Sequence, residues 1–186
     1  MSSVDLLSPM VTEDGLAQFR LMTVCTGNIC RSPMAEVVLR ARFAAAGLAD
    51  QVEVTSTGVS GEEHGNPIDR RAARALVGRG YPAGEAHRAR QVGTADLAAS
   101  DLVLPMTSAH ARVLRRLAGD GAGSRVLMLR RFDPAAPQVD DPRDEHRLDI
   151  DDPWFGGPAQ FDDCLDQIEA AADGVVAHVA AALAAR

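Results

Sequence analysis

Phe19-Arg20-Leu21-Met22-Thr23-Val24-Cys25-Thr26-Gly27-Asn28-Ile29-Cys30-Arg31-Ser32-Pro33 is the stretch on which the reading of this chain turns. Phe19–Val24 is a short apolar run that reads as a buried strand, and it stops at Cys25. Gly27 and Asn28 then permit a tight loop, because Gly has no Cβ and Asn tolerates a positive φ better than most residues. Ser32-Pro33 opens a helix, with Ser placed to cap and Pro suited to the first turn. Val37, Val38, Ala41, Ala45 and Leu48 give that helix an apolar stripe, and Gly47 suits its end. The order is strand, loop, helix.

Working outward, the alternation repeats. Val52–Ser56 reads as a second strand, and Thr57–Pro67 as a Gly-rich loop. Ile68–Arg79 is a helix stopped by Gly80 and Pro82. Asp101–Pro105 is a third strand, Ser108–Ala118 a helix, and Arg125–Leu129 a fourth strand. A long acidic, Pro-rich loop covers about 133–158, and a closing helix runs over about 160–184. This pattern predicts a single-domain α/β fold: a four-stranded parallel sheet with helices on both faces and a loop for phosphate after the first strand. Ligands of such sheets sit at the carboxyl ends of the strands, where Cys25 falls. Residues 1–18 read as a polar leader whose order the sequence does not decide, and 19–186 as the domain.

Composition narrows the field. The 186 residues suffice for one cored domain, and 46% apolar with 24% charged residues excludes a disordered chain. A net charge of −7 does not suit nucleic acid or an anionic membrane as partner. Three cysteines, Cys25, Cys30 and Cys164, are too few for a disulfide framework, and no signal peptide or membrane span is legible. The expected setting is the cytoplasm.

The loop at Cys25 suggests a chemistry. A phosphate ester dianion needs converging donors, and the backbone N–H groups of Thr26, Gly27, Asn28, Ile29 and Cys30 in a tight loop supply them. The helix that follows adds a partial positive charge, and Arg31 a guanidinium able to grip two phosphoryl oxygens. That positive field favours the thiolate of Cys25, and Ser32 is placed to hydrogen-bond it. A cysteine taken alone is more often a small buried hydrophobe. The Gly-Asn turn, the strand before it and Arg-Ser six residues on displace that reading.

Val24-Cys25-Thr26-Gly27-Asn28-Ile29-Cys30-Arg31-Ser32-Pro33-Met34-Ala35-Glu36 resembles the signature of the low-molecular-weight protein tyrosine phosphatases. The similarity continues through Ser56 to Asp69, His87-Arg88-Ala89-Arg90-Gln91 and Asp152-Pro153-Trp154-Phe155-Gly156, from about residue 20 to the C-terminus. The resemblance implies phosphotyrosine hydrolysis through a phosphocysteine intermediate, with no metal and no cofactor. Its implied partner is a phosphotyrosine protein, and the chain is expected as a monomer with at most weak self-association.

The proton donor must come from one of three Asp-Pro pairs, at Asp133, Asp141 and Asp152. Asp152 is chosen because Trp154 and Phe155 follow it and because it matches the family's acid-bearing motif; Asp149 and Asp151 flank it with like charge. Trp154 would stack on a phenyl ring. The resemblance assigns the bracing of the loop to Asn28, Ser56 and His87, with Glu36 on the following helix. Two departures from the family stand out. Glu62 occupies the second pocket wall, where an aromatic is common, and Thr107 follows Met106 where an Asp is common. Cys30 reads either as a packed side chain or as the partner of Cys25 in a reversible disulfide, and the resemblance favours the second. Cys164 is expected in the core.

Two related activities compete. A protein-arginine phosphatase has Thr at the position of Ile29, although Glu62 would suit a guanidinium. An arsenate reductase needs a relay of further cysteines, for which only Cys30 and Cys164 remain.

Overall fold

In a computed structural model of the chain, residues 10–11, 17–119 and 123–185 are described, with side chains from residue 18 onward. The elements are β1 (Met10–Val11), β2 (Ala17–Cys25), α1 (Arg31–Ala45), β3 (Val52–Gly58), α2 (Arg70–Gly78), α3 (Thr94–Ala99), β4 (Leu102–Pro105), α4 (Ser108–Ala118) and α5 (Pro158–Ala184). β2 is the central strand. It pairs in parallel with β3 from Phe19↔Val52 to Cys25↔Gly58, and with β4 from Leu21↔Leu102 to Val24↔Pro105.

The alternation of β2 sets the layers. Phe19, Leu21 and Cys25 enter one apolar cluster with Val38 and Leu39 of α1 and Phe161, Leu165 and Ile168 of α5. Met22 and Val24, on the other face, enter a second cluster with Leu97 of α3 and Ala111 and Leu114 of α4. Both faces are therefore covered, as a parallel sheet requires. At about 25 cal/mol per Å² of apolar surface removed from water, these two clusters supply the main drive to fold.

The expected fourth parallel strand over 125–129 does not form. It is reduced to one bridge, Val103↔Val126, with Leu127 N–H on the Val103 carbonyl at 3.0 Å. A 3-10 turn over Gly123–Arg125 runs straight into it, with Val126 N–H donating to Gly123 O at 3.2 Å, so only residues 126–128 lie between turns. A 3-10 turn over Leu129–Phe132 then carries the chain away. The observed sheet has three parallel strands, and β1 adds antiparallel to the start of β2 through Met10↔Gln18 and Val11↔Ala17. Most of the expected leader, residues 1–9 and 12–16, lies outside the described residues.

Smaller differences have local causes. α2 starts at Arg70 because Asp69 caps it, its side chain accepting from Arg71 N–H. α3 had no counterpart in the sequence reading, being only six residues long. Ser32 does not cap α1: the cap position is Cys30, and the Ser32 hydroxyl turns back toward Cys25. Among the described residues, no helix is long and apolar enough to cross a membrane.

Candidate active site

The loop between β2 and α1 closes on the sulfur of Cys25. Asn28 is the only described non-glycine residue with positive φ, at 59°, and this left-handed turn folds the loop inward. Asn28 N–H then points at Cys25 Sγ over 3.3 Å, and Ser32 Oγ lies 3.1 Å from the same sulfur. Both groups can donate to a thiolate. Cys25 and Asn28 are buried, so neither contact competes with bulk water.

Each end of the Asn28 side chain is tied. Its Nδ2 donates to Ser32 Oγ at 3.0 Å and to Ser56 Oγ at 2.9 Å, while Oδ1 accepts from Arg90 N–H at 2.9 Å. Ser56 passes its own proton to Glu36 Oε2 at 2.5 Å, and His87 Nε2 meets the Asn28 carbonyl at 2.6 Å. With neutral hydrogen bonds worth about 1 kcal/mol each, this web is sufficient to hold an αL residue that costs about 1–2 kcal/mol. The structure thus brings together Asn28, Ser56, His87 and Glu36, the four braces expected from the sequence. Gly58 presses on the loop from β3: a Cβ there would stand 2.5 Å from Thr26 O and 3.0 Å from Asn28 N. Only glycine permits that approach.

Arg31 is buried at the first turn of α1. Nη1 donates to the Ile150 carbonyl at 3.0 Å, and Nη2 forms an ion pair with Asp152 Oδ2 at 2.5 Å. Nε has no hydrogen-bond partner among the described residues, which leaves a buried donor for an anion in the loop. Asp152 is delivered by backbone pairing: Ile150 N–H bonds Met106 O at 2.9 Å, just past the end of β4. The two other Asp-Pro pairs lie elsewhere. Asp133 caps a turn by accepting from Ala135 N–H, and exposed Asp141 is held well below the usual carboxylate range by hydrogen bonds from Arg143. Asp149 also turns away, accepting from Ser108 N–H at 2.6 Å, so the nearest charge to Asp152 is a cation.

The walls differ from expectation in detail. Trp154 is 39% exposed and has the Arg71 guanidinium 5.3 Å from its ring centroid, while Phe155 projects into solvent at 93% exposure. Glu62 sits exposed in the turn after Ser60, and its neighbour Glu63 lies over the loop, its Cγ 3.0 Å from where a Gly27 Cβ would stand. Ile29 and Cys30 are buried beneath. Burial, then the charges of Asp69, Cys25 and Asp152, push the Cys30 thiol far above its ordinary range. All three cysteines are free, and burial pushes Cys164 up to about 12.

Two groups escaped the sequence reading. His110, buried on α4, places Nε2 2.9 Å from Thr26 Oγ1, which in turn lies 3.4 Å from Arg31 Nη2. Its Nδ1 has no hydrogen-bond partner among the described residues, and burial, with Arg31 adding to it, lowers its pKa to about 4. The ring is therefore neutral near pH 7. Arg71 joins both loops. It holds Asp69, whose N–H bonds Ile29 O at 2.8 Å, and its Nη1 donates to the carbonyls of Trp154 and Gly156 at 2.9 and 3.1 Å. Burial raises the Asp69 pKa, but the hydrogen bonds from Arg71 outweigh it and leave the carboxyl below its usual range. Neither residue sits in a local pattern that would flag it; His110 comes from α4, more than eighty positions from the loop.

The chain is similar to several known proteins. The chain is 43% identical over 162 residues to the low molecular weight protein-tyrosine-phosphatase of Streptomyces coelicolor, covering 87% of this chain and 93% of the relative. It is 45% identical over 152 residues to low molecular weight protein-tyrosine phosphatase A of Mycobacterium tuberculosis, covering 82% and 86% respectively. A solved protein tyrosine phosphatase from Entamoeba histolytica superposes with a TM-score of 0.80 over 88% of this chain and 98% of that one; at 22% identity it shows the shared fold. Residues 20–185 match the family model of the low molecular weight phosphotyrosine protein phosphatases, and the chain belongs to that family.

Proposed function

We propose that the chain hydrolyses phosphotyrosine in protein substrates in two steps, with Cys25 as nucleophile, Arg31 as phosphoryl grip and Asp152 as general acid and base. The observation that carries this reading is the convergence on one sulfur of Asn28 N–H and Ser32 Oγ, with the Arg31–Asp152 pair beside it. In the first step Cys25 Sγ attacks phosphorus and the bond to the tyrosyl oxygen breaks, while Asp152 gives that oxygen a proton. Arg31 Nε and Nη2 and the loop backbone carry the phosphoryl charge, which is greatest in the transition state. In the second step water attacks the phosphocysteine, Asp152 takes its proton, and Cys25 leaves as a thiolate. Asn28 N–H and Ser32 O–H receive that thiolate, which makes it a better leaving group.

Trp154 is the wall for the phenyl ring, with Phe155 at its outer edge, where it meets the body of the protein substrate. Ile29 in the loop favours tyrosine over arginine as the phosphorylated residue. An arsenate reductase needs a relay of further cysteines, and only Cys30 and Cys164, the latter buried in the core, remain beside Cys25. When a peroxide oxidises the Cys25 thiolate to a sulfenic acid, Cys30, in the same loop, attacks that sulfur and water leaves, giving the reversible disulfide.

The test compares p-nitrophenyl phosphate, a phosphotyrosine peptide and a phosphoarginine peptide on wild type and Cys25→Ser. Wild type is expected to turn over the first two, and Cys25→Ser none. No turnover by wild type refutes the enzyme reading. Preference for phosphoarginine leaves the two-step chemistry standing and overturns the substrate.

A further inference from the structure

We propose that a second cleft, behind the loop, is a binding site for a small organic anion with an apolar body, and that its occupancy is transmitted to Cys25. The cleft has a volume of about 570 Å³, within the range of small-molecule sites. Pro33, Val37 and Ala41 of α1 form one apolar wall, and the segment 82–86 forms the other. It shares no lining residue with the cleft beside Asp152.

Charge selects the ligand. In a chain of net charge −7, this cleft carries the guanidinium groups of Arg40, Arg88 and Arg90 against the carboxylates of Glu36 and Glu85. Arg40 is paired with Glu36 at 2.6 Å and Arg90 with Asp96 at 2.7 Å. Arg88 has no ion-pair partner among the described residues; its Nη1 meets only the carbonyls of Glu85 and His87. It is the free cation at the rim, and a carboxylate or phosphate on an apolar ligand would meet it there.

The floor of the cleft is wired to the nucleophile. From Arg40 the hydrogen bonds pass to Glu36, to Ser56 at 2.5 Å, to Asn28 Nδ2 at 2.9 Å, to Ser32 Oγ at 3.0 Å, and to Cys25 Sγ at 3.1 Å. His87 lines the same cleft and holds the Asn28 carbonyl. An anion that draws Arg40 away from Glu36 changes how strongly Glu36 holds Ser56. Asn28 spends one amide hydrogen on Ser56 and one on Ser32, so a shift at Ser56 reaches the sulfur.

The probe is 2-naphthoate, which is no phosphatase substrate, with 2-naphthamide as the uncharged control. Backbone amide NMR is recorded on the full chain with orthovanadate saturating the loop. Naphthoate, and not naphthamide, is expected to shift amides 83–88, and Arg88→Ala to weaken binding roughly two- to fivefold, the range of one exposed ion pair. Without vanadate, naphthoate is expected to change the rate at which iodoacetate alkylates Cys25 in wild type and not in Ala83→Phe, whose ring fills the cleft. Absence of shifts at 83–88 at millimolar probe overturns the site. Persistence of the alkylation effect in Ala83→Phe assigns it to the loop and overturns the transmission. Neither readout requires phosphatase turnover, so failure here is distinct from failure of the proposed activity.

Discussion

Replacing His110 by Gln is expected to make the protein more resistant to mild acid, although it alters a residue beside the loop. Gln reaches as far as the ring Nε2 that meets Thr26 Oγ1 at 2.9 Å, and it does not titrate. In the folded protein, burial and then Arg31 lower the imidazole pKa from 6.5 to about 4. Between those two values the unfolded chain binds a proton that the folded chain refuses. Stability is therefore complete above 6.5, falls as pH drops through the unfolded value, and stops falling below about 4. At 1.36 kcal/mol per unit, the loss is about 2 kcal/mol by pH 5 and about 3 kcal/mol at its limit. His178 is also pulled down by burial, but wild type and His110→Gln both carry it, so it cancels in the difference. The assay is urea unfolding of both proteins at pH 7.5, 6.5, 5.5 and 4.5, which reads the difference in midpoint at constant slope. Convergence of the two stabilities as pH falls, with wild type ahead at pH 7.5, is the expected pattern. Parallel curves across this window would refute the argument that His110 is held neutral by its surroundings.

Four further changes probe the site. Asp152→Asn is expected to lower kcat on a phosphotyrosine peptide by about a hundredfold or more, the usual contribution of a general acid. Asp141→Asn, at an exposed turn cap paired with Arg143, is expected to leave kcat unchanged, and equal losses would mean that the acid is misassigned. Gly58→Ala places a methyl 2.5 Å from Thr26 O, so urea unfolding should show a loss of about 1–3 kcal/mol, with kcat/KM falling as the loop is displaced. Arg71→Ala removes charged hydrogen bonds worth about 1.5 kcal/mol or more each and should lower kcat at least about tenfold. Phosphate affinity, measured as product inhibition, should fall less than kcat, because Arg71 reaches the phosphate loop only through Asp69 but holds the Trp154 carbonyl directly.

The strand, loop and helix around Cys25 were legible because their signals are local: an apolar run, a Gly-Asn turn and a Ser-Pro start. The braces at Ser56, His87 and Glu36 were legible only through resemblance, since nothing near them in sequence points to Asn28. The fourth strand misled because Val126-Leu127-Met128 has strand composition, while 3-10 turns at Gly123–Arg125 and Leu129–Phe132 leave only those three residues between them. His110 and Arg71 stayed hidden for a related reason. An imidazole on α4 and an arginine on α2 look like ordinary helix residues until the fold brings them to the loop. Ser32 shows the reverse case: its residue type predicted a cap, and its hydroxyl instead donates to the Thr57 carbonyl at 3.1 Å and lies 3.1 Å from the Cys25 sulfur.

The 2.5 Å bond between Arg31 and Asp152 gives the site an internal rival for its substrate. An incoming phosphoryl dianion must displace a carboxylate tethered beside the same guanidinium, so its measured affinity is the difference between two anions. Neutralising Asp152 should then tighten the hold on phosphate while slowing its release from tyrosine. The exchange also couples arming to loading. Asp152 is free to turn toward the leaving oxygen only once Arg31 has let it go, and Arg31 lets go only for a ligand able to take its place. A ligand too short to reach that guanidinium would leave the acid bound and unready.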